Sequence, residues 1–188
     1  MLKKSILFIS ILSTLIFQGC SNDENKDVTK SANDMISVNE YVLTGLDSKQ
    51  YVVKKKDNGF VLEGAKGKVV IFDIFATWCP PCKAAATHLS SLQEKYKDDL
   101  IIIGITIEDK ISNEKLLDFA KEYTANYTLV NSDQNRRLTN AIAFELELGD
   151  RYPIPTMAMY KDGVLINHFI GATEEEFIES DIKRALGK

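Results

Sequence analysis

The sequence predicts an α/β domain organised around one buried strand and the helix that follows it, and three observations carry that prediction. Val69 to Ala76 reads Val-Val-Ile-Phe-Asp-Ile-Phe-Ala, apolar but for one acid, which suits a strand covered on both faces. The run breaks at Thr77-Trp78, and Cys79-Pro80-Pro81-Cys82 leads into Ala85, Leu89, Leu92 and Tyr96 at helical spacing. Farther on, apolar strand-like runs alternate with amphipathic stretches and end in a hairpin pattern, so strands and helices interleave along the chain.

In chain order, the 188 residues are 45% apolar, enough for one domain with a substantial core, and the formal charge of −4 argues against nucleic-acid binding. Lys3 and Lys4 precede an apolar stretch from Ile6 to Phe17 that is too short to span a bilayer comfortably, and Gly19-Cys20 closes it. Residues 1–19 therefore read as a signal peptide. A cysteine after a small residue at such a boundary resembles a bacterial lipoprotein processing site, which implies acylation of Cys20 and a stable membrane anchor. Residues 20–38 then comprise the lipidated cysteine and a polar tether, too poor in apolar residues to order itself and reaching on the order of 20 Å. Residues 39–188 are assigned to the domain.

That domain opens with short β-type runs at Tyr41–Leu46, Gln50–Val53 and Phe60–Leu62, separated by Asp47-Ser48 and by the turn signal Asp57-Asn58-Gly59. Gly64 to Lys68 forms the loop before the central strand. After the cysteine-bearing helix, Leu100–Ile107 reads as a second buried strand. Ser112 or Asn113 starts a helix with Leu116, Leu117, Ala120 and Tyr123 as its inner face. Tyr127–Val130 is a short strand, and Ser132-Asp133 caps a helix running through Leu138 and Ile142. Ile154-Pro155-Thr156 opens a strand to Tyr160, Lys161-Asp162-Gly163 turns, and Val164 to Gly171 returns. Thr173 with Glu176 forms a capping box for a last helix whose core face is Phe177, Ile178, Ile182, Ala185 and Leu186. His88 reads as a surface or interface residue and His168 as a structural one in the hairpin.

The chemistry concentrates at the cysteines. Cys79 falls at the first turn of its helix, where free N–H groups and the positive end of the macrodipole favour a thiolate, making it the candidate nucleophile. Cys82 lies one turn deeper on the same face, within reach of a mixed disulfide at Cys79. The same spacing is half a zinc site, but the rest of the chain supplies only Cys20 and two scattered histidines, so no metal is expected. Asp73, an acid inside an apolar run, is costly, and burial raises its pKa.

The segment from Phe72 to Lys83, Phe-Asp-Ile-Phe-Ala-Thr-Trp-Cys-Pro-Pro-Cys-Lys, resembles the thioredoxin superfamily. Within it the chain looks most like the TlpA/ResA branch of membrane-tethered bacterial thiol-disulfide reductases, which includes proteins of cytochrome c maturation. The resemblance implies a thioredoxin fold with an N-terminal β extension and a central insertion between its βαβ half and its closing ββα half. It implies that Cys79 attacks, that Cys82 resolves, and that Asp73 helps take the proton from Cys82. It makes Ile154-Pro155-Thr156 the cis-proline loop opposite the cysteines, where the residues alone give trans as the default and leave Pro153 as a rival. Trp78 then shields the sulfurs and docks substrate together with Ile154, Pro155 and Thr156, and Lys83 adds positive potential. Two positions depart from the family pattern: Thr87 stands where a kinking proline is usual, and Ala85 where most ResA-like members carry a glutamate.

These readings converge on an extracytoplasmic oxidoreductase, on the periplasmic side, that reduces protein disulfides and is re-reduced by a membrane thiol-disulfide electron donor. Its redox group is the Cys79–Cys82 pair, with no other cofactor. Rival readings are a disulfide oxidase or isomerase, a non-enzymatic metal-binding lipoprotein of the same fold, and a peroxidase.

Overall fold

A computed structural model of the chain describes residues 39–57 and 59–188. The expected signal peptide, Cys20 and tether, and Asn58 of the turn signal, lie outside the described residues. The extension forms a three-stranded antiparallel sheet of β1 (Glu40–Thr44), β2 (Gln50–Lys56) and β3 (Gly59–Leu62). Tyr41, Leu43, Val53, Phe60 and Leu62 are its buried members. A five-stranded sheet follows, built from β4 (Val69–Phe75), β5 (Leu100–Thr106), β6 (Thr128–Val130), β7 (Thr156–Lys161) and β8 (Val164–Ile170) in the order β6-β5-β4-β7-β8. Strands β4, β5 and β6 run parallel, while β7 is antiparallel to both β4 and β8. Around the sheet lie α1 (Pro80–Lys95), α2 (Asn113–Glu122), α3 (Asn135–Glu145) and α4 (Glu175–Leu186). The segment β4-α1-β5 is the predicted βαβ half and β7-β8-α4 the closing ββα half, with α2, β6 and α3 between them.

Every residue of β4 is buried because each of its faces has its own cover. Val69, Ile71 and Phe75 pack with Leu89 and Leu92 of α1, Leu116 of α2 and Ile178 and Ile182 of α4. Val70, Phe72 and Ile74 pack against the extension, through Tyr41, Leu43 and Phe60, and against Leu138 and Ile142 of α3. By strand alternation Asp73 falls on the α1 side, the side that holds the cysteines.

The extension is fastened at both ends of the larger sheet. At one edge Gly45 bridges Val130, Leu46 N–H donates to the Leu129 carbonyl at 3.2 Å, and Ser132 Oγ donates to the Val42 carbonyl at 3.1 Å. At the other, β3 crosses the β7–β8 turn so closely that a Cβ on Gly163 would lie 2.4 Å from Val61 Cγ2.

Local expectations are corrected at four points. The inner stripe of α2 is Leu116, Phe119, Ala120 and Tyr123, with Leu117 54% exposed, because the Phe119 ring stacks on Phe75 at 5.0 Å and takes the inward position. Phe177 is 66% exposed, off the Ile178–Ile182 stripe of α4. The Thr173–Glu176 capping box does not form: α4 begins at Glu175 with Glu174 as N-cap, so Thr173 is one residue too early. At α3, Ser132 Oγ accepts from Gln134 N–H at 3.2 Å just ahead of the helix, and the N-cap itself is Gln134. Helix α1 continues through Thr87, whose hydroxyl donates to the Tyr123 carbonyl at 3.3 Å.

Candidate active site

The carboxyl end of β4 delivers the chain through Thr77 and Trp78 to Cys79. Pro80 and Pro81 occupy the first helical turn, where a missing N–H costs nothing and the fixed φ already suits the helix. Cys79 is the N-cap, one residue before the first turn in which the sequence reading places it. Its backbone is extended at φ −83° and ψ 111°, and its Sγ accepts the Cys82 N–H at 3.3 Å. The sulfur thus holds the place that a Ser, Thr or Asp oxygen takes in ordinary caps. No acidic residue lies in that first turn to oppose a negative charge on it. Cys79 and Cys82 are joined in a disulfide with their Cα atoms 5.3 Å apart, and both are buried.

Facing them is the loop ahead of β7. The Ile154–Pro155 peptide bond is cis, so of the two prolines Pro155 is the one in the loop the resemblance implies. The Ile154 carbonyl oxygen lies 3.7 Å from Cys79 Sγ. The Pro155 carbonyl accepts from Gly171 N–H at 2.8 Å, and the buried Thr156 hydroxyl donates to the Pro153 carbonyl at 2.7 Å, which holds the loop from both sides. Trp78 is 61% exposed, so it stands on the surface beside the sulfurs rather than in the core.

Beneath the cysteines, Asp73 is buried and its carboxyl is pushed up to about 7 by that burial, with the hydrogen bond from Tyr127 working the other way. Tyr127 Oη donates to Asp73 Oδ2 at 3.1 Å, while Oδ1 has no hydrogen-bond partner among the described residues. Ala85 is buried in the same apolar layer. Lys83 turns its ammonium over the Tyr123 ring at 5.0 Å, so it is engaged with the α2 side of α1.

Two further residues shape the site without being singled out in the sequence. Glu108 Oε2 accepts from the Thr77 N–H at 2.6 Å and Oε1 from the Thr77 hydroxyl and from Lys115 Nζ, each at 3.1 Å. Against the effect of partial burial, these donors hold Glu108 below the usual carboxylate range. The carboxylate thereby pins the loop two residues ahead of Cys79. Its signal was available: Glu108 follows a buried strand parallel to β4, and the carboxyl ends of parallel strands lie side by side. Tyr127 gave no such signal, since an aromatic residue beside a short strand reads as core. Among the described residues no group of three or more His, Cys, Asp or Glu side chains is placed to hold a metal ion, and no helix is long and apolar enough to cross a membrane.

A disulfide-bonded cysteine pair, a helix start under the outer sulfur, a carbonyl edge facing it and a buried acid on the same face of β4 form a layout suited to disulfide exchange. The Redoxin family profile matches residues 23–186. The chain is 24% identical to the thiol-disulfide oxidoreductase ResA of Bacillus cereus over 194 aligned positions, which span 97% of this chain and 98% of that protein. It is 31% identical to the thioredoxin-like protein YneN of Bacillus subtilis over 81 residues, covering 39% of this chain and 48% of that one. Among solved structures it superposes on a putative thiol:disulfide interchange protein DsbE from Chlorobium tepidum with a TM-score of 0.58 at 21% identity, covering 79% of this chain and 94% of that one. StoA from Bacillus subtilis gives a TM-score of 0.53 at 16% identity, covering 76% and 95%. These superpositions identify the fold as thioredoxin-like.

Proposed function

The chain belongs to the Redoxin family, and from that premise we propose that this thiol-disulfide oxidoreductase reduces disulfides in other proteins from an extracytoplasmic, lipid-anchored position. The observation that carries the reading is the setting of Cys79: its sulfur caps α1, accepts the Cys82 N–H at 3.3 Å and faces the Ile154 carbonyl at 3.7 Å. In the reduced protein the same donor and helix start stabilise a Cys79 thiolate.

That thiolate attacks one sulfur of a substrate disulfide. The substrate S–S bond breaks, its electron pair leaves on the first substrate sulfur, and a mixed disulfide joins Cys79 to the second. Cys82 then gives its proton to Asp73, and its sulfur attacks Cys79 Sγ. The mixed disulfide breaks, the second substrate sulfur leaves with the electron pair, and the Cys79–Cys82 disulfide forms. Two electrons pass from the dithiol to the substrate. Asp73 returns its proton to the released thiolate or to water. Trp78 and Ile154 form the surface on which extended substrate lies, with the Ile154 backbone as its hydrogen-bonding edge and with Pro155 and the buried Thr156 setting the loop behind it. A membrane dithiol donor restores the reduced pair, and acylated Cys20 keeps the domain at the membrane where that donor resides.

The test is capture. In the full chain, Cys82→Ser accumulates a mixed disulfide through Cys79, and Cys79→Ser accumulates none. Equal trapping by both variants rejects the assigned order. Equilibration of the pair against glutathione gives the direction: a pair that stays oxidised until the buffer is strongly reducing fits a reductase, and one that is readily reduced makes the protein an oxidase or isomerase.

A further inference from the structure

Tyr127 is not needed by the exchange scheme above, yet it reaches the buried acid from two strands away. It lies just ahead of β6, and β5 separates β6 from β4. To touch Asp73 its ring must pass over β5. In the register Asp73 of β4 pairs with Gly104 of β5, and Gly104 pairs with Leu129 of β6. A Cβ on Gly104 would sit 2.9 Å from Tyr127 Cε2 and 2.6 Å from Leu129 Cδ2, closer than carbon atoms approach. The backbone of Gly104 is outside the left-handed region, so the need for glycine is steric. This is the one break in the apolar run Leu100-Ile-Ile-Ile-Gly-Ile, and it stands beside the one acid of β4.

We propose that Tyr127, admitted across β5 by Gly104, is the positioning residue of the buried acid: its hydroxyl pins Asp73 Oδ2 and leaves Oδ1 as the oxygen that receives the Cys82 proton. The inference rests on the exchange reading above and names a residue that serves it. A carboxyl in an apolar layer can turn either oxygen toward the sulfur. A donor fixed on one oxygen removes that freedom. Burial and the charge of Asp73 hold the Tyr127 hydroxyl well above its usual range, so the phenol remains a donor and keeps its own proton throughout the cycle. Beside Asp73, β5 presents Gly104 and β7 presents Met157 in register, and β4 itself contributes Ile71 and Phe75 to the apolar layer that also holds the cysteines and Ile178 and Ile182 of α4. Of the titratable side chains in this layer, which include Tyr96 and Tyr123 and the thiols of the reduced pair, Tyr127 is the one hydrogen-bonded to the carboxyl among the described residues.

Tyr127→Phe in the reduced full chain keeps the ring over Gly104 and removes only the donor. Asp73 is followed by its carboxyl carbon NMR shift against pH, assigned with Asp73→Asn, and the pH profile of insulin disulfide reduction is recorded alongside. The expected result is an Asp73 midpoint higher by about one pH unit, as befits the loss of one hydrogen bond to a charged acceptor, with the acid limb of the profile moving the same way. Gly104→Ala, which displaces the ring, moves both in the same direction. In an Asp73→Asn background, Tyr127→Phe leaves the profile unchanged. An Asp73 midpoint that stays put in Tyr127→Phe overturns the inference, as does a Tyr127→Phe effect that persists undiminished beside Asn at position 73. A chain that reduces no disulfide in any variant rejects the functional reading instead, and the carboxyl titration still decides the role of Tyr127.

Discussion

Replacing Asp73 with Asn should make the protein's stability less dependent on pH, and the size of the change follows from where the acid sits. In the folded chain its carboxyl titrates at about 7 against an ordinary 3.8, chiefly because burial disfavours the charge. Between those values the unfolded chain has released the proton and the folded chain still holds it. The group's contribution to stability is therefore complete below the unfolded value, falls as pH rises toward the folded one, and is constant above it. At about 1.4 kcal/mol for each pH unit, the whole window is worth about 4 kcal/mol, a large share of a typical domain's 5–15 kcal/mol or so. Asn keeps an acceptor for the Tyr127 hydroxyl but cannot ionise, and its amide adds a buried donor whose cost does not change with pH. Urea unfolding of the oxidised chain and of Asp73→Asn, from pH 4 to 9, measures the difference. The stability of the variant relative to wild type should climb by about 1.4 kcal/mol per pH unit and level off above pH 7. A difference that stays flat across that range would refute the account of Asp73 as a buried acid that keeps its proton up to about pH 7.

Glu108→Ala strands the Thr77 N–H and hydroxyl, and should cost about 2 kcal/mol in denaturant unfolding while slowing insulin reduction, because the loop before Cys79 loses its anchor. Glu108→Gln, which keeps one acceptor, should fall between that variant and wild type in both measurements. Gly163→Ala forces a side chain into a left-handed backbone at φ +87° and against Val61, and should lower stability by about 1–3 kcal/mol, read as a fall in Tm. An alanine there that leaves Tm unchanged would mean that β3 and the β7–β8 turn can move apart freely.

The central strand, the helix that follows it and the closing hairpin were legible because their signals are local. A buried parallel strand writes an apolar run, and Cys79-Pro80-Pro81-Cys82 marks the helix start by its own chemistry. Asp73 was legible as an anomaly in that run. What the sequence hid depends on register. Tyr127 meets Asp73 only because Gly104 lies opposite it in the β4–β5 ladder, and pairing across strands separated by an entire helix cannot be read from spacing. Leu117 and Phe177 were misjudged for a smaller reason: several rotations of a short helix bury equally apolar stripes, and the tie is broken by neighbours such as Phe75 that only the packed structure supplies. The Thr173–Glu176 pattern failed through a helix that starts one residue late, the scale at which helix ends are least specified.

The double fastening of the N-terminal sheet bears on where this protein can be cut. Its strands roof Phe72, Ile74, Ile103 and Tyr160 on the side away from the cysteines, and its bridge at Gly45–Val130 occupies the outer rim of β6. A shortened version starting near Val69 would retain every residue of the exchange chemistry and yet leave an oily plate and a strand rim open to another copy, the circumstance under which sheets stick to one another. Trimming for crystallography or display should therefore keep everything from Glu40 onward.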